Sequence, residues 1–321
     1  MPKFALSDPG SLMAQDPAMA EYLLSYSFPP PADARYGFVR MESPQKQNRV
    51  RLFGQAWVPM HAKATVAIIH GYAEHSGNYS RLGRDLIADQ YAVIALDLRG
   101  HGLSEGPVCH LDLPSHYVED TEALVSEIFS QVLPNRPLFL WGHSMGALVG
   151  MQLVLRSLLP AQPQAVVFTS PLLGFPKLSG LQKMMASLSP LMAKFVPALP
   201  IPHGIPQGAL SHDEEYLARR MKDPLIKATT TPRWFESIKK AVQEVHEQTE
   251  KLQALSPTLL MLAGDERVTN LNDSRRLAFE AFSGQRHKVI EFPRMLHELE
   301  KEPEIRQRVQ TESLAWFRKH G

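Results

Sequence analysis

The sequence predicts an α/β protein: a mostly parallel sheet covered by helices on both faces and interrupted by a helical insertion. Three observations carry that prediction. Short apolar runs alternate with helix-length segments as far as Thr169, the alternation breaks between about Gly174 and Leu255, and it resumes at Thr258. Because the rhythm resumes, the 321 residues read as one interrupted domain and not as two in tandem.

Taken in order, residues 1–36 are irregular and end in Pro29-Pro30-Pro31, which reads as an arm ahead of a domain at 37–321. Gly37–Ser43 and Leu52–Val58 form a pair of edge strands. Thr65–His70 and Tyr91–Leu98 are short apolar runs, consistent with strands buried on both faces, with a helical stretch near Tyr79–Asp89 between them. A helix pattern from Ser115 to Val132 leads to the strand Leu138–Trp141, a helix Met145–Leu158 and a strand Ala165–Thr169. The insertion, about 174–255, is rich in Met and Pro and then helical. Strand Thr258–Leu262, helix Asn272–Phe282, strand Lys288–Phe292 and helix Glu304–Arg318 complete the domain, with no internal repeat.

Composition narrows the function. A net charge of +1, with basic residues scattered along helices, gives no electrostatic case for nucleic acid. The one cysteine, Cys109, excludes an intramolecular disulfide and sits in the loop-like Gly106-Pro107-Val108-Cys109-His110, where it reads as a plain loop residue. No metal or cofactor is called for. Met1–Ala20 carries Lys3, Asp8 and Asp16 and no sustained apolar core, so it does not read as a secretory signal. No apolar run reaches the ~18 residues of a spanning helix. The expected address is cytoplasmic, with peripheral contact at the inner membrane face left open; oligomeric state is not legible.

The chemistry is carried by Gly142-His143-Ser144-Met145-Gly146, a G-x-S-x-G match. The pattern alone is weak, but the apolar strand Leu138–Trp141 precedes it and a helical run opens after it. This is the strand–turn–helix setting of a nucleophile elbow. Small residues on both flanks let neighbouring backbone approach, and the turn lifts the Ser144 hydroxyl to a helix N-terminus. A serine hydroxyl needs a base. His143 is adjacent but points elsewhere, and is read as structural. His297, in the loop after the last strand, comes back over the sheet edge where Ser144 sits, and the order Ser, acid, His suits such a triad. The acid follows the preceding strand, where Asp265 and Glu266 both stand. Adjacent side chains there point in opposite directions, so only one reaches His297. The spacing Glu266-Arg267-Val268 favours Glu266, with Asp265 as the alternative. Two backbone donors complete the arrangement: the Met145 N–H, and the Tyr72 N–H in the loop Gly71–Gly77, where Gly71 permits the turn. His70 and His75 read as bracing that loop.

A second glycine-rich stretch, Arg99-Gly100-His101-Gly102-Leu103-Ser104-Glu105-Gly106, resembles a dinucleotide fingerprint, but its third glycine comes one residue late and no helix starts there. Asp97 and Arg99 are read as stabilising a loop beside the site.

Together His70–Gly77, Asp97–Ser104 and Gly142–Gly146, with Lys222-Asp223-Pro224-Leu225-Ile226 late in the insertion, resemble the monoacylglycerol lipase and lysophospholipase branch of the α/β-hydrolases, the serine aminopeptidase S33-like family. The resemblance runs from about residue 50 to 318. It implies an eight-stranded sheet, a helical cap, Ser144 and His297 as catalytic residues, backbone donors at Tyr72 and Met145, and carboxylic esters with one acyl chain as substrates. The sequence departs at the acid, where that branch usually has aspartate and this chain has Glu266.

Within the insertion, Met184, Leu188, Leu191, Met192 and Phe195 fall on one helical face. Two expectations follow: the stripe packs on the main domain, or Met184, Met185, Leu188 and Met192 line an acyl path or touch lipid. The function expected is hydrolysis of monoacylglycerol or lysophospholipid by way of an acyl-enzyme. Amide or peptide hydrolysis, and a non-catalytic binding protein that keeps the fold, are the alternatives.

Overall fold

The computed structural model describes residues 22, 25, 26, 34–47, 49–177 and 179–321. Its strands are β1 (Ala34–Glu42), β2 (Arg51–Pro59), β3 (Ala64–Ile69), β4 (Tyr91–Asp97), β5 (Leu138–His143), β6 (Val166–Thr169), β7 (Ile201–Pro202), β8 (Thr229–Thr230), β9 (Thr258–Ala263) and β10 (Lys288–Phe292). The helices are α1 (Ser80–Ala88), α2 (Ser115–Val132), α3 (Met145–Arg156), α4 (Gly180–Phe195), α5 (Glu214–Lys222), α6 (Pro232–Glu247), α7 (Thr249–Ala254), α8 (Leu271–Phe282) and α9 (Arg306–His320). Eight strands form one sheet in the order β1-β2-β4-β3-β5-β6-β9-β10, and β7 and β8 make a separate two-residue ladder. The β1/β2 and β2/β4 pairs are antiparallel and the rest of the large sheet is parallel.

Strands β3, β4, β5, β6 and β9 are buried at every position, which is why each is mostly apolar, with Thr65, Asp97, His143, Thr169 and Thr258 at or next to the strand ends. Their side chains alternate between two cores. Val66, Ile68, Phe139, Trp141 and Met261 pack with Leu82, Leu86, Trp316 and Phe317 from α1 and α9. Ala67, Ile69, Leu140, Phe168 and Leu260 pack with residues of α2, α3, α6 and α8 on the other face.

The chain leaves β4 on one side of β3 and returns as β5 on the other. In an open parallel sheet the crevice at the carboxyl ends of strands at such a switch point is where ligands bind.

The element ends shift by a few residues, and three expectations change. Residues 34–36 of the arm belong to β1, where Tyr36 is buried with its ring stacked on Trp57 at 4.9 Å; Pro29–Pro31 lie outside the described residues. The stretch 174–255 is not uniform, because Trp234, Ile238, Ala241, Val245 and Leu252 of α6 and α7 are part of the main core. The apolar stripe of α4 does not pack on the main domain as a whole: Met192 is half-buried, and the other four residues are exposed. Met184, Leu188, Leu191 and Phe195 are 53%, 46%, 57% and 69% exposed. Periodicity shows that a helix has an apolar face without showing what that face meets. Among the described residues no helix is long and apolar enough to cross a membrane.

Candidate active site

Ser144 is the residue between β5 and α3, at φ 50° and ψ −113°. A non-glycine residue in that region is strained and is held there only by its surroundings. Its N–H donates to Thr169 O at 2.9 Å, and its carbonyl accepts from Ala147 and Leu148 at 3.1 and 3.2 Å, which starts α3. The flanking glycines are required by contact distance. A Cβ on Gly146 would lie 2.1 Å from Ile69 O, and one on Gly142 would lie 2.8 Å from Gly146 O. Helix α3 therefore crosses against β3 at van der Waals range, with Met145 buried in its first turn.

Three loops at the carboxyl ends of β5, β9 and β10 bring Ser144, Glu266 and His297 together. His297 Nε2 stands 2.9 Å from Ser144 Oγ, and its Nδ1 stands 2.7 Å from Glu266 Oε2. An ionised carboxylate only accepts, so Nδ1 carries the proton and Nε2 is free to accept from the serine hydroxyl. The other oxygen of Glu266 accepts from the Val268 and Thr269 N–H groups at 2.7 and 3.1 Å, which fixes the carboxylate plane. Asp265 turns the other way. It pairs with Arg267 and its side chain is 41% exposed against 3% for Glu266.

Burial works against the charged form of His297, but the Glu266 carboxylate, with Glu298 and Glu300 behind it, outweighs burial and holds the imidazole above its usual pKa. For Glu266, burial opposes ionisation; His297 and the two backbone donors outweigh it and keep the carboxyl below the usual range. His143, whose ring centroid lies 4.9 Å from that of His297, is fully buried and pushed down to about 3, by desolvation first and by His297 second. Neutral, it stands with Nδ1 2.9 Å from Thr169 Oγ1 and braces the strand ends.

The loop from Gly71 to Gly77 is held by side chains. The Gly71 N–H donates to Glu74 Oε1, which also accepts from the Tyr79 hydroxyl at 2.5 Å. His70 accepts from the Leu98 N–H through Nε2 at 2.9 Å and donates from Nδ1 to Gly71 O at 2.7 Å. Asp97 accepts from the N–H groups of Ser76 and Leu103 at 2.8 and 2.7 Å, and Arg99 makes a two-point pair with Asp120. The glycine-rich stretch after β4 is thus part of the scaffold beside the site.

Tyr72 lies in the wall of the cavity at Ser144, with its hydroxyl donating to Thr229 O at 2.7 Å and its ring 4.4 Å from that of Trp234. The insertion supplies the rest of the roof: His203, Ile205, Leu210 and Arg220 line the cavity with Ala73, Val268 and Glu298. The enclosed space is about 30 Å³, room for water but not for an acyl chain. Met184, Met185, Leu188 and Met192 do not line it. Sequence reasoning missed Arg220 and Glu298. Arg220 donates from Nη2 to Ala73 O at 2.9 Å and pairs through Nε with Glu298 Oε1 at 3.5 Å, while the Tyr216 hydroxyl donates to Glu298 Oε2 at 2.5 Å. Glu298 adjoins His297 and was visible as such; its partners some eighty residues away were not.

This arrangement sits in a chain whose residues 60–304 match the model of the family described as serine aminopeptidase, S33. The chain belongs to that family. The monoacylglycerol lipase of Mycolicibacterium smegmatis is 30% identical over 258 residues, covering 79% of this chain and 89% of the relative. A phospholipase of Bacillus subtilis is 26% identical over 251 residues, covering 77% and 93%. Among solved structures, the Paleococcus ferrophilus monoacylglycerol lipase superposes with a TM-score of 0.73 at 25% identity, covering 84% of this chain and 99% of that one. A soluble variant of the Saccharomyces cerevisiae monoglyceride lipase, solved with a substrate analog, shares the fold with a TM-score of 0.75 at 20% identity. This member of the S33 family is therefore an α/β-hydrolase of the lipase and esterase type.

Proposed function

We propose that the protein hydrolyses carboxylic esters of single-acyl-chain lipids, monoacylglycerol or lysophospholipid, by way of an acyl-enzyme on Ser144. The observation that carries the reading is the unbroken chain Ser144 Oγ, His297, Glu266 at 2.9 and 2.7 Å. In this reading His297 Nε2 takes the hydroxyl proton as Oγ attacks the ester carbonyl. Glu266 stabilises the imidazolium that forms. The N–H groups of Met145 and Tyr72 receive the oxyanion. The imidazolium then protonates the departing alcohol, and a water activated by the same nitrogen releases the fatty acid.

The lipid class is supported by the two relatives matched over more than three-quarters of this chain, named as a monoacylglycerol lipase and a phospholipase. The exposed apolar face of α4 supports peripheral membrane contact. Met184, Met185, Leu188 and Met192 then act as substrate contacts when the insertion meets lipid. Met185→Asp with Met192→Asp tests that assignment, and unchanged turnover of long-chain esters by the folded variant would refute it. Labelling by a fluorophosphonate, compared between wild type and Ser144→Ala, tests the nucleophile. Turnover of monoacylglycerol, lysophosphatidylcholine and an aminoacyl-anilide then separates the two lipid classes from each other and from amide hydrolysis.

A further inference from the structure

Two tyrosines ahead of β1, outside the residues that the family model matches, reach the loop that carries Tyr72. Tyr22 is buried, with its ring edge-on to Phe53 at 6.0 Å and its hydroxyl 3.4 Å from Ser76 Oγ. Gln55 Nε2 donates to that same Oγ at 3.0 Å. Tyr26 meets the His75 ring edge-on at 4.6 Å, and its hydroxyl donates to Asp223 Oδ2 at 2.7 Å. The same carboxylate oxygen stands 3.1 Å from His75 Nε2. His75 Nδ1 accepts from the Gly77 N–H at 3.2 Å, so Nε2 carries the proton and donates.

Asp223 caps the C-terminus of α5, three residues after Arg220, which holds Ala73 O. One carboxylate oxygen therefore joins the segment of Tyr26, the loop after β3 and the insertion. The contact is close: a Cβ on Gly77 would lie 2.8 Å from both Tyr26 Cγ and His75 Cε1. These contacts add to those of His70, Glu74 and Asp97 on a loop in which Ala73 sits at φ 53° and regular structure resumes only at the 3₁₀ turn Ser76–Tyr79. A backbone donor aimed at an oxyanion loses effect when it moves by about 1 Å.

We propose that Tyr26, buttressed by Tyr22, is a positioning residue for ester hydrolysis: it keeps His75 and Asp223 in register so that the Tyr72 N–H stays aimed at the reacting carbonyl. Neither tyrosine touches the reacting atoms. The inference rests on the esterase reading.

The test uses the full chain and a soluble p-nitrophenyl ester. Turnover is expressed per site titrated with a fluorophosphonate, for Tyr26→Phe, Asp223→Asn and the double variant, with thermal unfolding in parallel. The expected result is a fall in kcat of roughly tenfold for each single variant with KM within about twofold, and a double variant no worse than the poorer single one. Wild-type kcat per titrated site in Tyr26→Phe, whatever its melting temperature, overturns the proposal, as do single losses that multiply in the double variant. If Tyr26→Phe does not fold, Tyr22→Phe carries the test, and an unchanged kcat there overturns it. A folded wild type that takes no label overturns the esterase reading and this inference with it. A labelled wild type with an unaffected Tyr26→Phe overturns this inference alone.

Discussion

Replacing Glu266 by Gln changes one atom, and the structure fixes which way the new amide lies. The oxygen at the Oε1 position accepts from two N–H groups, Val268 at 2.7 Å and Thr269 at 3.1 Å. An NH2 group placed there would face two donors and lose both bonds, each worth about 1 kcal/mol before the cost of leaving a buried donor unpaired. The amide nitrogen therefore takes the Oε2 position, 2.7 Å from His297 Nδ1. As a donor it forces Nδ1 to accept, which moves the imidazole proton to Nε2, against Ser144 Oγ. In that tautomer the histidine cannot take the serine proton. The amide also supplies no charge for the imidazolium that forms. The expected loss in kcat is about 10³- to 10⁴-fold, equivalent to roughly 4–5.5 kcal/mol of transition-state stabilisation. KM should change little and the protein should stay folded, because shape and both backbone bonds survive. Steady-state hydrolysis of a soluble ester, with circular dichroism to check folding, measures this. Asp265→Asn is the control and should keep most of the activity, since Asp265 faces solvent and Arg267. A Glu266→Gln variant that keeps more than about a tenth of wild-type kcat, or an Asp265→Asn variant that loses as much, would refute the reasoning.

The Glu266 carboxylate raises the His297 pKa above 6.5 in the folded protein, so kcat/KM should fall as pH drops through that raised value, with an acid-limb midpoint above 6.5. The stability linked to His297 has the opposite sense: it is present in full below the unfolded pKa and is lost as pH rises through the folded one, so a pH series of denaturant melts should lose it where activity is gained. Gly146→Ala places a methyl 2.1 Å from Ile69 O and 2.5 Å from His70 O, both backbone atoms, and should cost ~3 kcal/mol or more in denaturant unfolding or abolish soluble expression. Leu191→Asp with Phe195→Asp charges the exposed face of α4; binding to lipid vesicles in a flotation assay should fall while turnover of a short soluble ester holds.

How much of this was legible in the sequence depends on the range of the interactions involved. The strands could be read because β3, β4, β5 and β9 are buried on both faces and are apolar along most of their length, with polar residues only at or next to their ends. The elbow could be read because Gly142 and Gly146 both stand within two residues of Ser144, although what Gly146 answers to is the distant β3 backbone at Ile69 and His70. The side chain that reaches His297 is the one the spacing favoured, since alternation at a strand end sends Glu266 and Asp265 to opposite sides. The α4 stripe was visible as a stripe, but what it faces is a tertiary fact, and here that is solvent. Arg220, Tyr216 and Glu298 form a cluster only because α5 folds over the loop that follows β10. Tyr22 and Tyr26 lie in a stretch without periodicity, and nothing near them in sequence announces His75 or Asp223 as partners.

Whether Ser144 is a nucleophile activated by His297 is measured by intact-mass and peptide mass spectrometry after treatment with a fluorophosphonate. One adduct per chain is expected, located on Ser144, absent in Ser144→Ala and formed far more slowly in His297→Ala. A folded wild type that takes no adduct, or one whose adduct lies on another residue and persists in Ser144→Ala, would contradict it.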